Sequence, residues 1–190
     1  SGGFYNEKTG KYQYVFPNKK GVDLNPLGAR KPRSSVKQKI HGQVSRISSP
    51  NSLWIKIADR QSYMILAQGL SARNRDDQKK EFLVTLDYVS PIGSVYRGRE
   101  FKRQWKRYTL KKLKGELKGK EVTVHLRFNK RSMQFRGTLY KKIYSKAGPR
   151  LRNINLWMVY EGLSYYMIDQ GRAPQNSEYL KAQKIAEENS

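Results

Sequence analysis

Hydrophobic and polar residues alternate in four short stretches between residues 36 and 89. These stretches are KIHGQVSRI, SLWIKI, SYMILAQ and KEFLVTLDYV, and polar or turn residues such as SSPN and ARNRDDQ separate them. Alternation of this kind is typical of β-strands that bury one face. The pattern therefore predicts a meander of short strands.

A different spacing begins at residue 99, in the stretch REFKRQWKRYTLKKLKG. Phe101, Trp105 and Tyr108 fall on one face of a helix, and basic residues fill most other positions. We expect the aromatic face to pack on the strands, and we expect Gly115 and Gly119 to end the helix.

The remaining stretches predict two strands and two helices. KEVTVHLRF and MQFRGTLYKKIY alternate as strands, and SKAGPRLRN is predicted to be a loop. INLWMVYEGL predicts a helix closed by Gly162, and SEYLKAQKIAEENS predicts a last helix with Ser177 as its N-cap. The order of elements indicates one small α+β domain over residues 36–190.

Residues 1–35 contain turn and breaker signals such as FPNKKG and NPLGARKPR. No hydrophobic period runs through them. We interpret this segment as a basic, extended N-terminal arm.

The charge of the chain is strongly positive, with 39 Lys and Arg against 15 Asp and Glu and a net charge of +24. Residues 97–152 hold 20 basic and 3 acidic side chains, a net +17. Such a field favours a polyanionic partner. We expect nucleic acid, RNA in preference to DNA, and possible protein partners within a ribonucleoprotein complex.

Other features limit the class of protein. No stretch approaches the roughly 18 apolar residues of a membrane span, so we expect no membrane partner and an intracellular protein, in the nucleus, the cytoplasm or an organelle. The chain has no cysteine and two histidines, which excludes disulfides and thiolate metal sites. We expect no cofactor, and a metal site would need several carboxylates beside the histidines.

Basic side chains of the predicted helix and of the late strands are the candidate nucleic-acid contacts. They are Arg99, Lys102, Arg103, Lys106, Arg107, Lys111, Lys112, Arg127, Lys130, Arg131, Arg136, Lys141 and Lys142. The candidate aromatic residues for base stacking are Tyr63, Tyr88, Tyr96, Phe135 and Tyr140. Trp54, Trp105 and Trp157 are expected in the core.

Five or so strands with one helix inserted among them and helices at the end predict an OB-type Greek-key barrel. In addition, NINLWMVYEGLSYYMI resembles the segment of staphylococcal-nuclease-like domains in which a helix leads through a glycine to a final strand. KGKEVTVHLRF, QFRGTLYKKIY and SEYLKAQKIAEE are similar to later strands and the C-terminal helix of that family. The resemblance covers about residues 36–190.

The resemblance also implies where a nuclease site would lie. Nucleases of this family hold calcium with an acidic turn between the first two strands, where this chain has Ser49, Pro50, Asn51 and Ser52. Thr85 aligns with a catalytic arginine, Ser90 with a metal aspartate, and Gly93 or Ser94 with the general-base glutamate. Arg136 alone is retained, so the resemblance implies a degenerate active site without metal.

Three aspartates leave the nuclease alternative open. Asp87 lies three residues before the aligned metal position and is expected to be a solvated surface group. Asp76 and Asp77 lie in a charged loop that is expected to hold no metal.

The expected function is nucleic-acid binding without catalysis. The alternatives are a structural subunit of a large ribonucleoprotein such as a ribosome, a Tudor-like protein-interaction module, and an active nuclease. The Tudor alternative depends on the similarity of VSRISSPNSLWIKI to the strands that begin the nuclease-like half of extended Tudor domains.

Overall fold

The structure is a computed structural model that describes residues 4–6, 11–13, 38–92, 98–168 and 171–189. In the predicted arm, β1 (Phe4–Asn6) pairs antiparallel with β2 (Lys11–Gln13). The rest of the arm lies outside the described residues, as do Gly93, Ser94 and Tyr96.

The described residues contain nine further strands and four α-helices. The strands are β3 (Gln38–Ser49), β4 (Ser52–Lys56), β5 (Arg75–Asp76), β6 (Glu81–Leu86), β7 (Val89–Pro91), β8 (Glu121–Asn129), β9 (Gln134–Ser145), β10 (Gly148–Asn153) and β11 (Ser164–Tyr166). The helices are α1 (Arg60–Ala67), α2 (Arg99–Leu117), α3 (Ile154–Tyr160) and α4 (Asn176–Glu188).

Five of these strands close into a barrel. The order β9, β8, β3, β4, β6 is antiparallel throughout, and a parallel pairing of β6 with β9 completes the ring. The mixed barrel with its helices is compatible with an OB-type fold. The predicted α+β class and the five-stranded barrel are confirmed.

Alternation along the strands fills the barrel. Val44, Ile55, Val84, Val124 and Leu139 are fully buried, and their sequence neighbours are more exposed. Gly42 lies where β3 approaches β4 closely, because a Cβ atom there would lie 2.5 Å from Ile55 Cγ2. The inward positions thus form an aliphatic core.

The first helix replaces a predicted strand, so the strand prediction for SYMILAQ is wrong. Asp59 caps α1, and its Oδ2 accepts a hydrogen bond of 2.8 Å from the Ser62 backbone N–H. Tyr63 and Ala67 are both fully buried, one helical turn apart. The N-cap at Asp59 and the burial of Tyr63 and Ala67 four residues apart favour a helix over the strand that the short alternation predicted.

The second helix is where predicted, but its buried face is different. Thr109, Leu113 and Leu117 are buried at intervals of four residues, whereas Phe101 and Tyr108 are 37% and 46% exposed. The expectation that the aromatic face packs on the strands is therefore wrong. The helix also continues through Gly115, which was predicted to end it, to Leu117.

Three other boundaries differ from prediction. SKAGPRLRN, predicted to be a loop, contains β10, which pairs with the end of β9. The last helix begins at Asn176 with Gln175 as its N-cap, so Ser177 is not the cap. The predicted ending of α3 is confirmed, since Gly162 follows it with a φ of +72°, which glycine adopts without strain.

The three tryptophans are half-buried, so their predicted core positions are wrong. Trp54 points away from the barrel interior, which its neighbours Leu53 and Ile55 fill. The Arg46 guanidinium carbon lies 4.2 Å from the Trp54 ring centroid, in a cation–π contact.

The chain divides into two compact units. The barrel unit comprises the described residues of 35–87 and 110–154. The second unit includes those of 88–109 and 155–190, in which β7 pairs with β11 and the Tyr166 and Tyr179 rings stack at 4.7 Å. The prediction of one domain over 36–190 stays a prediction.

Within the described residues, no helix has both the length and the apolar character needed to cross a bilayer.

Candidate nucleic-acid interface

The second helix presents a row of exposed cations. All seven predicted contacts on α2 are exposed, and they are Arg99, Lys102, Arg103, Lys106, Arg107, Lys111 and Lys112. Arg103 lies 3.9 Å from Glu100 one turn earlier, in a pair that solvent screens. These charges are placed to meet a polyanion from solvent.

Three aromatic rings lie among these cations on the first turns of α2. The ring centroids of Phe101 and Trp105 are 5.9 Å apart, and those of Trp105 and Tyr108 are 5.7 Å apart, with tilts of 59° and 83°. The rings and Gln104 line an open pocket of about 280 Å³. We call Phe101, Trp105 and Tyr108 the aromatic row of α2.

Two further predicted contacts, Lys130 and Arg131, are exposed in the turn between β8 and β9. Asn129 shapes the turn, because its Oδ1 accepts hydrogen bonds from the backbone N–H groups of Arg131 at 3.0 Å and Ser132 at 3.4 Å.

Arg127 and Arg136 are held by a buried carboxylate instead of pointing to solvent. Arg127 donates from Nε to Asp87 Oδ2 and from Nη2 to Asp87 Oδ1, each at 2.7 Å. Arg136 Nε donates to Asp87 Oδ1 at 2.9 Å. Asp87 is only 3% exposed, so its predicted position as a solvated surface group is wrong. The charges of the two arginines are partly offset before any ligand arrives.

Three of the four residues of the predicted former active site lie together in the barrel unit. Thr85 is in register with Arg136 across the parallel pair of β6 and β9. The Leu86 backbone N–H donates to the Asn51 carbonyl at 2.7 Å, which brings the turn beside β6. Ser90, the fourth residue, belongs to the second unit, where it pairs with Tyr165.

The turn between β3 and β4 is held by neutral hydrogen bonds. Ser49 Oγ lies 3.0 Å from Asn51 Oδ1 and 2.5 Å from Ser52 Oγ. A hydroxyl and amide cluster of this kind offers oxygen atoms without the negative charge that Ca²⁺ prefers.

The loop aspartates also have partners within the protein. Asp77 Oδ1 accepts hydrogen bonds from Arg75 Nε at 2.7 Å and from the Tyr63 hydroxyl at 2.8 Å, and these contacts lower the pKa of Asp77. Asp76 accepts from the Lys79 backbone N–H at 3.0 Å. Across residues 38–92, 98–168 and 171–189, no three His, Asp or Glu side chains are grouped so that they could hold a metal ion.

The last predicted contacts, Lys141 and Lys142, lie on opposite faces of β9. Lys141 and Arg152 both donate to Glu116 Oε1, at 3.1 Å and 2.8 Å. Lys142 is exposed, and its Nζ lies 5.8 Å from the Tyr144 ring centroid.

The candidate stacking residues fall into three groups. Tyr63 and Phe135 are buried in the core and have no face for a base. Tyr88 and Tyr140 are half-buried, and Tyr96 lies outside the described residues. Tyr144, which is 80% exposed, was missed, although it continues the alternation of Tyr140 and Lys142.

Comparison of this sequence with family models and with curated proteins finds no match among either.

Proposed function

We propose that this protein binds nucleic acid, RNA in preference to DNA, and does not cleave it. The observation that carries the proposal is the exposed basic surface of α2 with its aromatic row. Cations on such a surface neutralise phosphates and release counterions, and exposed rings offer faces to unpaired bases. One helix thus combines the two interactions that single-strand binding uses.

We propose the absence of catalysis because the Asp87 carboxylate is already bonded to two arginines. Both of its oxygens accept hydrogen bonds from arginine, and the pair of guanidiniums neutralises its charge. A metal at this carboxylate would have to displace those bonds. The neutral side chains of Asn51 and Thr85 support the same proposal, because neither can serve as a general base near neutral pH.

We further propose that the barrel is a staphylococcal-nuclease-like form of the OB-type fold. The supporting observations are the helix inserted after the third barrel strand and the clustering of Asn51, Thr85 and Arg136 where the resemblance aligns a nuclease site.

The basic surface can be tested by combined substitution. Replacing Arg103, Lys106, Arg107 and Lys111 by Gln should weaken binding to a labelled single-stranded RNA far more than replacing Lys181 and Lys184 of α4. Lys181 and Lys184 are also exposed, but Glu178, Glu187 and Glu188 on the same helix offset their charge. Circular dichroism would verify that both variants fold. Equal losses would mean that net charge, and not a placed surface, drives binding.

A second candidate is a structural subunit of a ribonucleoprotein. The net charge of +24 favours it, since a free protein of this charge repels itself. Sedimentation of cell extracts before and after ribonuclease treatment distinguishes the two candidates. A subunit should sediment with one particle of defined size, whereas an RNA-binding protein should spread over RNA of many sizes, and ribonuclease should release the protein in both cases.

A further inference from the structure

The end of β9 and the whole of β10 form a two-stranded ribbon at one edge of the sheet. The part of β9 from Gln134 to Tyr140 pairs with β8, and the part from Tyr140 to Ser145 pairs with β10. The ribbon thus continues past the segment of β9 that β8 covers. The β9 side was predicted to be a strand and the β10 side a loop, so the pairing that gives the ribbon two faces was not predicted.

The two faces of the ribbon differ because side chains alternate along a strand and paired residues share a face. One face carries Lys141 and Arg152, which both bond to Glu116. The other face, which we call the ribbon face, carries Tyr140, Lys142 and Tyr144 of β9 with Pro149 and Leu151 of β10.

The ribbon face is open to solvent. Tyr144 is 80% exposed and Leu151 is 56% exposed. The Lys142 ammonium lies beside the Tyr144 ring. At the inner end, the rings of Tyr140 and His125 lie 4.7 Å apart with a tilt of 46°, which extends the aromatic surface onto β8.

We infer that the ribbon face is a second binding surface, and that its ligand is single-stranded nucleic acid. Tyr140 and Tyr144 are four residues apart, about 14 Å along an extended strand. Unpaired bases of one strand can stack on the two rings, and Lys142 between them can meet a phosphate of the backbone that links those bases. This inference rests on the proposed function and names the form of nucleic acid that is bound.

Charge favours a polynucleotide over a protein partner. The sequence contains no Asp or Glu between Glu121 and Glu161, and it places nine Lys and Arg there. Lys142, Lys146 and Arg150 are exposed on or beside the ribbon. Addition of a peptide strand at the β10 edge is disfavoured, because Pro149 has no N–H and arginines flank Leu151.

Stacking on a surface tyrosine also selects against duplexes. Bases in a duplex are stacked on each other and are unavailable to a ring on a protein surface, so sequence-tolerant stacking is typical of single-strand recognition.

The test compares variants of Tyr144 by fluorescence anisotropy, with a labelled oligouridine and an RNA hairpin duplex of the same length. Tyr144→Ser should weaken oligouridine binding about 5- to 150-fold, the range for loss of one stacked base. Tyr144→Phe should bind like wild type, because it keeps the ring. Tyr144→Leu should resemble Tyr144→Ser, and duplex binding should change little in all three.

The matched control is Tyr160→Ser. Tyr160 is 52% exposed and lies on α3, so its loss removes a surface tyrosine outside the ribbon. It should leave oligouridine affinity unchanged. A second readout separates stacking from charge: Lys142→Gln should reduce the slope of log affinity against log salt by about one, while Tyr144→Ser should leave the slope intact.

The outcomes distinguish the inference from the proposed function. If wild type binds oligouridine and Tyr144→Ser binds it equally well, the inference is wrong and the proposed function stands. Full binding by Tyr144→Leu, or a preference of wild type for the duplex, also overturns the inference. If wild type binds neither RNA, the proposed function is wrong and the inference falls with it.

Discussion

The carboxylate of Asp87 is surrounded by two arginines at the end of β6. A buried ion pair of this kind contributes little net stability, but removing one partner leaves uncompensated charge in a poorly hydrated position. Asp87 therefore organises the region where the resemblance aligns a nuclease site.

Substitution of Asp87 by Ala should lower the free energy of unfolding by roughly 3–5 kcal/mol, because Arg127 and Arg136 lose their shared acceptor. Urea unfolding of wild type and variant measures this. Glu100→Ala is the control, since Glu100 forms a solvent-exposed pair and its loss should cost less than about 1 kcal/mol. Similar losses in the two variants would contradict the structural role of Asp87.

The hydroxyl of Tyr63 provides a prediction about pH. Burial, and then the hydrogen bond to Asp77, raises the pKa of Tyr63 to about 12. A phenol in the unfolded chain has a pKa of about 10, so folding favours the protonated form. Its contribution to stability is full below about pH 10 and is lost as the pH rises towards about 12.

Tyr63→Phe should accordingly flatten the decline of the unfolding free energy in that alkaline window. The pKa of Tyr166 is also raised to about 12, by burial, so some decline should remain until Tyr166→Phe is added. An unchanged alkaline decline in the double variant would show that these phenols do not control it.

Single residues show what the sequence could and could not predict about the site. The resemblance placed Asn51, Thr85, Ser90 and Arg136 in one site, and Asn51, Thr85 and Arg136 are neighbours in the structure. The burial of Asp87 was unpredictable, because it depends on the parallel pairing of β6 with β9, which has no local signal. Alternation in SLWIKI identified two faces of a strand, but it did not say whether Trp54 or Leu53 lies inside.

Among the elements, α2 carries two apolar stripes on one basic helix. The stripe of Phe101, Trp105 and Tyr108 is the more aromatic, and the stripe of Thr109, Leu113 and Leu117 is the one that is buried. Hydrophobic spacing alone cannot choose between them, because both fit a helical period and tertiary packing decides. The same limitation explains why α1 was predicted to be a strand. Its short alternation of apolar and polar residues is also compatible with a helix capped by Asp59.

Two glycines near the end of α2 should respond oppositely to alanine. Gly115 is an exposed residue of the helix with no atom within 4 Å of a built Cβ, so Gly115→Ala should stabilise the protein by up to about 1 kcal/mol. Gly119 has equal space but a φ of +76°, so Gly119→Ala should destabilise it by roughly 1 kcal/mol.

Thermal or urea unfolding of the two alanine variants measures the difference. Because neither substitution meets a neighbouring atom, packing cannot explain opposite signs. Changes of the same sign would contradict the helix end at Leu117.

At the scale of the whole molecule, the charge is concentrated in residues 97–152 and becomes net negative after residue 153, where 3 basic residues face 5 acidic ones. This asymmetry was visible in the sequence. Only the structure shows that the exposed charge lies on a helix, a turn and a ribbon. It also shows that three of the predicted contacts, Arg127, Arg136 and Lys141, are bonded to carboxylates.

The purified protein should not cleave single- or double-stranded RNA or DNA with Ca²⁺ or Mg²⁺. Asn51 and Thr85 supply no carboxylate, and Asp87 is neutralised by arginines. Gel assays over long incubations check this. Metal-dependent cleavage that disappears in the isosteric Asp87→Asn variant would show that the carboxylate is catalytic after all.

The most direct test of the central claim is the affinity for single-stranded RNA as a function of salt. If six to ten phosphates are neutralised, affinity for a single strand should fall roughly 300-fold to 16,000-fold between about 50 and 200 mM salt. The variant with four glutamines on α2 should show a slope shallower by roughly three. An affinity that does not change with salt, or no binding to RNA at low salt, would contradict the account.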